Sequence, residues 1–230
     1  MTQAAVIAGF GPGFCEELAR KLAREGHPVA MLARSDEYLA EFEAELREEG
    51  HDALAIPTDV TDPNAVADAF DLVRERFGSV GVLAHTASTT TSASDVELDP
   101  DRFETMWRLY THAGLLCFRE VVDDMRKDGG TVLFFGAFPS GGDLAFKSGK
   151  DATRGLARSL ADEYGPEGVH VEHVIIDGTL LNPDVYETDA PVAEDEYIDP
   201  VAAAESCYHL VEQPDRARTF ELDLHAGRRM

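Results

Sequence analysis

The 230-residue chain predicts an α/β fold: a single doubly wound domain with a mostly parallel central sheet and helices on both faces. Three observations carry that expectation. Short apolar runs recur along the chain and read as buried strands. Segments with helical spacing of apolar residues lie between them. No long Pro/Gly-rich linker and no repeat divides the sequence, so residues 1–230 read as one domain.

The elements follow in order. Ala4 to Gly9 is an apolar run ending in glycine, a first strand. Leu18, Leu22 and nearby alanines give a helix closed by Gly26. Pro28 to Leu32 is a second strand, because proline is tolerated at a strand start. Tyr38 to Glu49 is a polar helix, and Leu54-Ala55-Ile56 a short third strand. Pro63 opens a helix that runs to Phe77, and Val80 to Ala84 forms strand four. A helical stretch from Pro100 passes through Trp107, Leu115 and Val122 until Gly129-Gly130 breaks it. Thr131 to Phe135 reads as the central strand, and Lys150 to Tyr164 as a helix with Leu156 and Leu160 on one face. Val169 to Ile176 is a strand. A helix near Val201 to Leu210 and a strand near Thr219 to Leu224 close the chain.

Composition excludes several classes of function. The 20 Lys and Arg are outnumbered by 44 Asp and Glu, for a formal net charge of −24. A general nucleic-acid binder needs positive charge for the phosphate backbone, and an anionic membrane surface repels this chain. The acids crowd into polar stretches such as 41–45 and 193–196. Two readings stay open: a solvated acidic face, or adaptation to high salt, which screens self-repulsion. No apolar stretch approaches the about 18 residues of a membrane span, and Met1-Thr2-Gln3 begins no export signal. The expected location is the cytoplasm. Cys15, Cys117 and Cys207 are widely spaced, and no cluster of metal-ligand type stands out.

The first strand runs into Gly9-Phe10-Gly11-Pro12-Gly13-Phe14-Cys15, with a helix behind it. Such glycines permit a tight turn and close approach of a pyrophosphate to the helix terminus. Arg34 follows the second strand, where an acid would favour the ribose hydroxyls of NAD. An arginine there can pair with a 2′-phosphate, so NADP is preferred over NAD. The alternative is a solvent-facing arginine. Asp59 and Val60 follow the third strand, with Asp59 either at the adenine edge or serving as a turn residue or helix cap.

Taken together, these motifs resemble the short-chain dehydrogenase/reductase family almost from end to end, and imply its Rossmann-like fold. The resemblance rests on the glycine turn, Asp59-Val60, the strand-four terminus, the Phe146-to-Lys150 segment, residues 155–161 and Val174-Ile175-Ile176-Asp177-Gly178. Gly9 and Gly13 fit the first two glycines of the G-x-x-x-G-x-G pattern, and Cys15 replaces the third. The family's tyrosine acts as acid/base, its serine holds the substrate oxygen, its lysine depresses the tyrosine pKa and binds nicotinamide ribose, and its asparagine supports a proton relay. Those positions fall on Phe146, near Ala137, on Lys150 and near Thr111. Only the lysine persists. The usual Asn-Asn-Ala-Gly reads His85-Thr86-Ala87-Ser88, which makes His85 and Ala87 cofactor-facing candidates along with Phe14.

Other side chains are candidates to replace the missing groups: Ser140 just past the central strand, and Tyr186 or Tyr197 in the region where a substrate loop is expected, about 179–199. Tyr110 and His112 lie near the missing asparagine, His112 either a proton carrier or a packing residue. Asp177 and Thr179 occupy the family's Pro-Gly region, where backbone and hydroxyl groups meet the nicotinamide end. The resemblance implies an NADP-linked oxidoreductase acting on a small carbonyl or alcohol, with a relocated or water-mediated proton relay. An inactive NAD(P)-binding sensor or scaffold is the alternative, and a non-redox enzyme in the same pocket ranks third. A homodimer or homotetramer is implied too, through the helices bearing Trp107, Leu115 and Leu156 and the final strand.

Overall fold

A computed structural model describes residues 2–89, 99–137, 144–180 and 197–227. The chain alternates strand and helix as β1 (Ala4–Ala8), α1 (Phe14–Arg24), β2 (Val29–Ala33), α2 (Asp36–Glu48), β3 (Ala53–Pro57), α3 (Pro63–Phe77) and β4 (Val80–His85). It continues with α4 (Pro100–Trp107), a π-helical turn (Arg108–His112), α5 (Ala113–Asp128), β5 (Gly130–Ala137) and α6 (Leu144–Tyr164). After a 3₁₀ turn come β6 (Val169–Asp177), the short β7 (Thr179–Leu180) and β8 (Tyr197–Ile198), α7 (Pro200–Val211) and β9 (Glu221–His225).

The seven-stranded sheet has the order β3-β2-β1-β4-β5-β6-β9, and every pairing in it is parallel. Parallel strands need helical crossovers, so both faces are covered, and the inner strands β1, β4 and β5 are buried along nearly their whole length, whereas the edge strands β3 and β9 are not. One face packs on α3, α5 and α6, through residues such as Phe70, Val121 and Ala157. The other packs on α1, α2 and α7, through Leu18, Leu39 and Cys207. Strand order reverses between β1 and β4. In such sheets a ligand crevice opens there, beyond the carboxyl ends of the strands.

Local chemistry sets the helix starts. Asp62, Asp99 and Asp199 each accept backbone N–H bonds ahead of a proline that opens the helix. Helix α6 begins at Leu144, six residues before the expected start at Lys150. Lys150 therefore lies inside the helix and is buried, which removes the reading of a surface lysine at a helix start. The stretch from Pro100 is not one regular helix, because its π turn breaks the register between α4 and α5. No helix among the described residues is long and apolar enough to cross a membrane. The three cysteines are buried and free.

Candidate active site

The glycine turn positions the first part of the site. Gly9 has φ +94°, and a Cβ on it would lie 2.3 Å from the backbone of Ala87, so the turn after β1 packs directly on the chain leaving β4. Thr86 closes the junction: its N–H donates to Ala8 O at 2.9 Å and its hydroxyl to Gly9 O at 3.0 Å. Gly11, by contrast, would meet nothing with a Cβ, and its face of the turn is open. Gly13, also at positive φ, starts α1 and donates its N–H to Glu16 Oε2 at 2.9 Å. Cys15, at the third glycine position, is buried with its thiol bonded by Thr86, and burial pushes its pKa up. A thiol held neutral in this way is no nucleophile.

A cavity of about 460 Å³ opens beside this turn. It brings together Gly9, Arg34, Asp59, Val60 and Ala87 of the expected cofactor set. Asp59 Oδ1 accepts from the Thr61 N–H at 2.9 Å and its hydroxyl at 2.7 Å; those bonds, with help from the Arg34 charge, hold the carboxyl below its ordinary pKa. The helix cap is Asp62, three residues on. The cavity also uses residues that the sequence did not single out: Ser35 beside Arg34, Thr58, and Thr105 and Arg108 from α4 and the π turn. The first two follow the same strand ends as Arg34 and Asp59 and were open to the same reasoning. The last two arrive by a long-range approach that has no local signal.

Lys150, His85 and Phe14 do not line that cavity. They sit in the adjoining layer at the ends of β4 and β5. Lys150 is 6% exposed and donates through Nζ to Phe135 O at 3.1 Å. Its Nζ lies 4.4 Å from the centre of the Tyr110 ring and 6.0 Å from that of Phe146. These faces partly offset the loss of water around the ammonium, but burial still pulls its pKa down to about 8. Phe146 stands edge-on to Tyr110, 5.7 Å between centroids. Phe14 packs edge-on against Phe135 at 5.2 Å. His85 is buried at the end of β4, its Nε2 bonded to nothing among the described residues. Burial, and then the charge of Lys150, push its pKa down to about 3, so it is neutral.

Thr111 gives its hydroxyl to Gly149 O at 3.2 Å and lies 3.3 Å from the Thr153 hydroxyl, which ties the π turn to α6. His112 stacks on Trp107 at 5.7 Å. Asp177 ends β6 beside His225 of β9, and Thr179 is exposed in β7. Between them Gly178 lies near Ile198, and neither Asp177 nor Thr179 lines the cavity. Ser140 and Tyr186 lie outside the described residues, as does most of the expected substrate loop at 179–199.

The family model for short chain dehydrogenases matches residues 3–185, and the chain belongs to that family. An uncharacterized oxidoreductase of Bacillus subtilis, YxjF, is 30% identical over 174 residues, covering 74% of this chain and 68% of its own. The short-chain reductase protein NovJ of Streptomyces niveus is 28% identical over 187 residues, covering 80% and 71%. Among solved structures, an alcohol dehydrogenase from Thermococcus sibiricus complexed with 5-hydroxy-NADP is 27% identical, with TM-score 0.85 over 99% of this chain and 98% of that one. A short chain oxidoreductase of Pseudomonas aeruginosa described as containing an atypical catalytic center, bound to NADPH, has TM-score 0.87 at 20% identity, covering 99% and 96%. At that identity the likeness is one of fold. The chain is thus an oxidoreductase of short-chain dehydrogenase type, a family that uses NAD(P) and acts on small molecules.

Proposed function

We propose that this protein is an NADP-linked oxidoreductase that interconverts a carbonyl and an alcohol with a proton relay that does not use the family's tyrosine. The observation that carries the reading is the cavity itself. It joins the glycine turn to Arg34 and Asp59 at the carboxyl ends of β1 to β3, beside the switch in strand order. The open face of Gly11 fits a diphosphate, which only a bare backbone lets approach closely. Arg34 and Ser35 fit a 2′-phosphate, and Val60 and Asp59 an adenine edge. When bound, the dinucleotide supplies or accepts hydride; this chain's residues hold it and manage the proton. Lys150 lies at the nicotinamide end as a donor to ribose hydroxyls, and with a pKa near 8 its ammonium also gives up a proton readily near neutral pH. Ser140 and Tyr186 are the candidate side chains for the substrate oxygen. The 5-hydroxy-NADP complex of the Thermococcus alcohol dehydrogenase supports the choice of cofactor.

The absence of a hydroxyl on Phe146 and Ala137, and the tying of Thr111 to α6, favour a second reading, a dinucleotide-binding sensor without turnover. One experiment separates the two. NADPH oxidation is followed at its near-ultraviolet absorbance against a broad panel of aldehydes and ketones, alongside direct binding of NADPH. Binding with turnover supports the oxidoreductase. Binding without turnover across the panel supports the sensor, and no binding overturns both.

A further inference from the structure

We infer that His173 is a proton-relay residue, linking Lys150 to the Glu221 carboxylate at the edge of the sheet. The inference deepens the oxidoreductase reading, since it says how a site without the family's tyrosine, serine and asparagine exchanges its proton with solvent. His173 lies on β6 and is 3% exposed. Its Nδ1 is 3.3 Å from Glu221 Oε2 on β9. With Nδ1–H donating to that carboxylate, Nε2 carries the lone pair. Among the described residues Nε2 has no hydrogen-bond partner, a costly state for a buried polar atom.

The imidazole edge bearing Nε2 lies over Gly136 of β5. A Cβ built on Gly136 would lie 2.4 Å from Nε2, so glycine at 136 is what lets the imidazole edge reach β5. Lys150 Nζ rests on the carbonyl of Phe135. The imidazole and the ammonium thus reach adjacent residues of β5, Gly136 and Phe135, and the Lys150 charge acts on His173. On the outer side, Glu221 is held by Arg154, whose Nη2 donates to Oε1 at 2.9 Å, and its side chain is 28% exposed. The charged groups facing His173 are Glu221 from β9 and Arg154 and Lys150 from α6. The result is a line of titratable groups from a buried lysine to the surface.

In the alcohol-oxidising direction, the Lys150 ammonium loses one proton to Nε2 by way of a bridging water and becomes an amine. The Nδ1 proton moves to Glu221, which releases one to solvent. One N–H bond breaks and one forms at the imidazole, and no electrons are transferred. The reducing direction runs the same steps backwards.

The test needs neither substrate nor cofactor, so it fails separately from the oxidoreductase reading. The chain has only four lysines, Lys21, Lys127, Lys147 and Lys150, so ¹⁵N-lysine labelling resolves the buried ammonium by NMR. Its proton exchange with water is measured in the wild type, His173→Gln and Glu221→Gln at matched stability. A glutamine at 173 keeps a polar contact with Glu221 but carries no proton between two nitrogens. A relay predicts that Lys150 exchange slows at least tenfold in both variants while the other three lysines are unchanged. Unaltered exchange in both variants overturns it. Should His173→Gln fold poorly, Glu221→Gln alone decides, because it alters only the half-exposed end of the line.

Discussion

Lys150 is the residue on which the chemistry turns, and its burial makes a prediction about stability. An ordinary lysine titrates near 10.5, and this one near 8 because its charge has been taken out of water. A folded-state pKa depressed in this way works against the fold wherever the unfolded lysine is protonated. Below about pH 8 both states are charged and the cost is complete, on the order of 3 kcal/mol. Between about 8 and 10.5 the unfolded chain binds the extra proton, so stability contributed by this site rises with pH. Lys150→Met is therefore expected to raise the melting temperature at pH 7 by several degrees. Calorimetry should show the gap to wild type closing as pH approaches 10. A gap that is constant with pH contradicts the account of Lys150.

Phe146 is the second informative residue. Its ring holds the lysine's surroundings together through Tyr110, yet offers no proton. Restoring the hydroxyls with Ala137→Ser and Phe146→Tyr together is expected to raise turnover about 100-fold, the usual scale for a positioned acid/base. Either change alone should give less, because proton transfer and oxygen binding act as a unit. Steady-state kinetics on any substrate found by the carbonyl panel checks this. The spacing of Phe146 and Lys150 was readable in the sequence. The depth of Lys150 was not, because it comes from α6 starting at Leu144 and from the Tyr110 and Phe135 contacts, none of which is local.

At the scale of elements, the junction of β1, α1 and β4 holds the site. Gly9 combines a positive φ with a neighbour already in van der Waals contact, the Ala87 backbone. Gly9→Ala should cost at least about 2 kcal/mol, since neither strain nor overlap can be relieved by turning a side chain. The expected readouts are a melting temperature lower by about 4–8 °C and loss of dinucleotide binding. Unchanged stability would show that the turn adapts. This junction was legible in the sequence as strand, glycines and helix in immediate succession. The His173–Glu221 link was not: its partners are 48 residues apart, and only the pairing of β6 with β9 brings them together. The order of helices and strands followed from apolar periodicity, whereas the π turn at Arg108–His112 has no sequence mark that periodicity detects.

For the whole molecule the dominant quantity is the charge of −24. Arg20, Lys21 and Arg154 are each engaged by glutamates, yet acids outnumber bases by more than two to one. The remaining charge repels itself over a screening length of about 10 Å at 0.1 M salt and about 3 Å at 1 M. Raising KCl from 0.1 to 2 M is expected to increase the melting temperature, most of the gain coming in the first molar. A flat or falling profile would mean that surface ion pairs, which salt weakens, outweigh the repulsion.

The same acidity bears on the cofactor, because a strongly negative protein binds an anionic dinucleotide only where local donors overcome the field. Arg34 is the cationic side chain that the cavity offers at the expected 2′-phosphate position. The most direct measurement is therefore an equilibrium titration of NADPH and NADH, read by nicotinamide fluorescence, against the wild type and Arg34→Ala. The account predicts that NADPH binds at least tenfold more tightly than NADH, and that the preference vanishes in Arg34→Ala while NADH binding is nearly unchanged. Failure of both dinucleotides to bind, or an NADPH preference that survives the loss of Arg34, would contradict it.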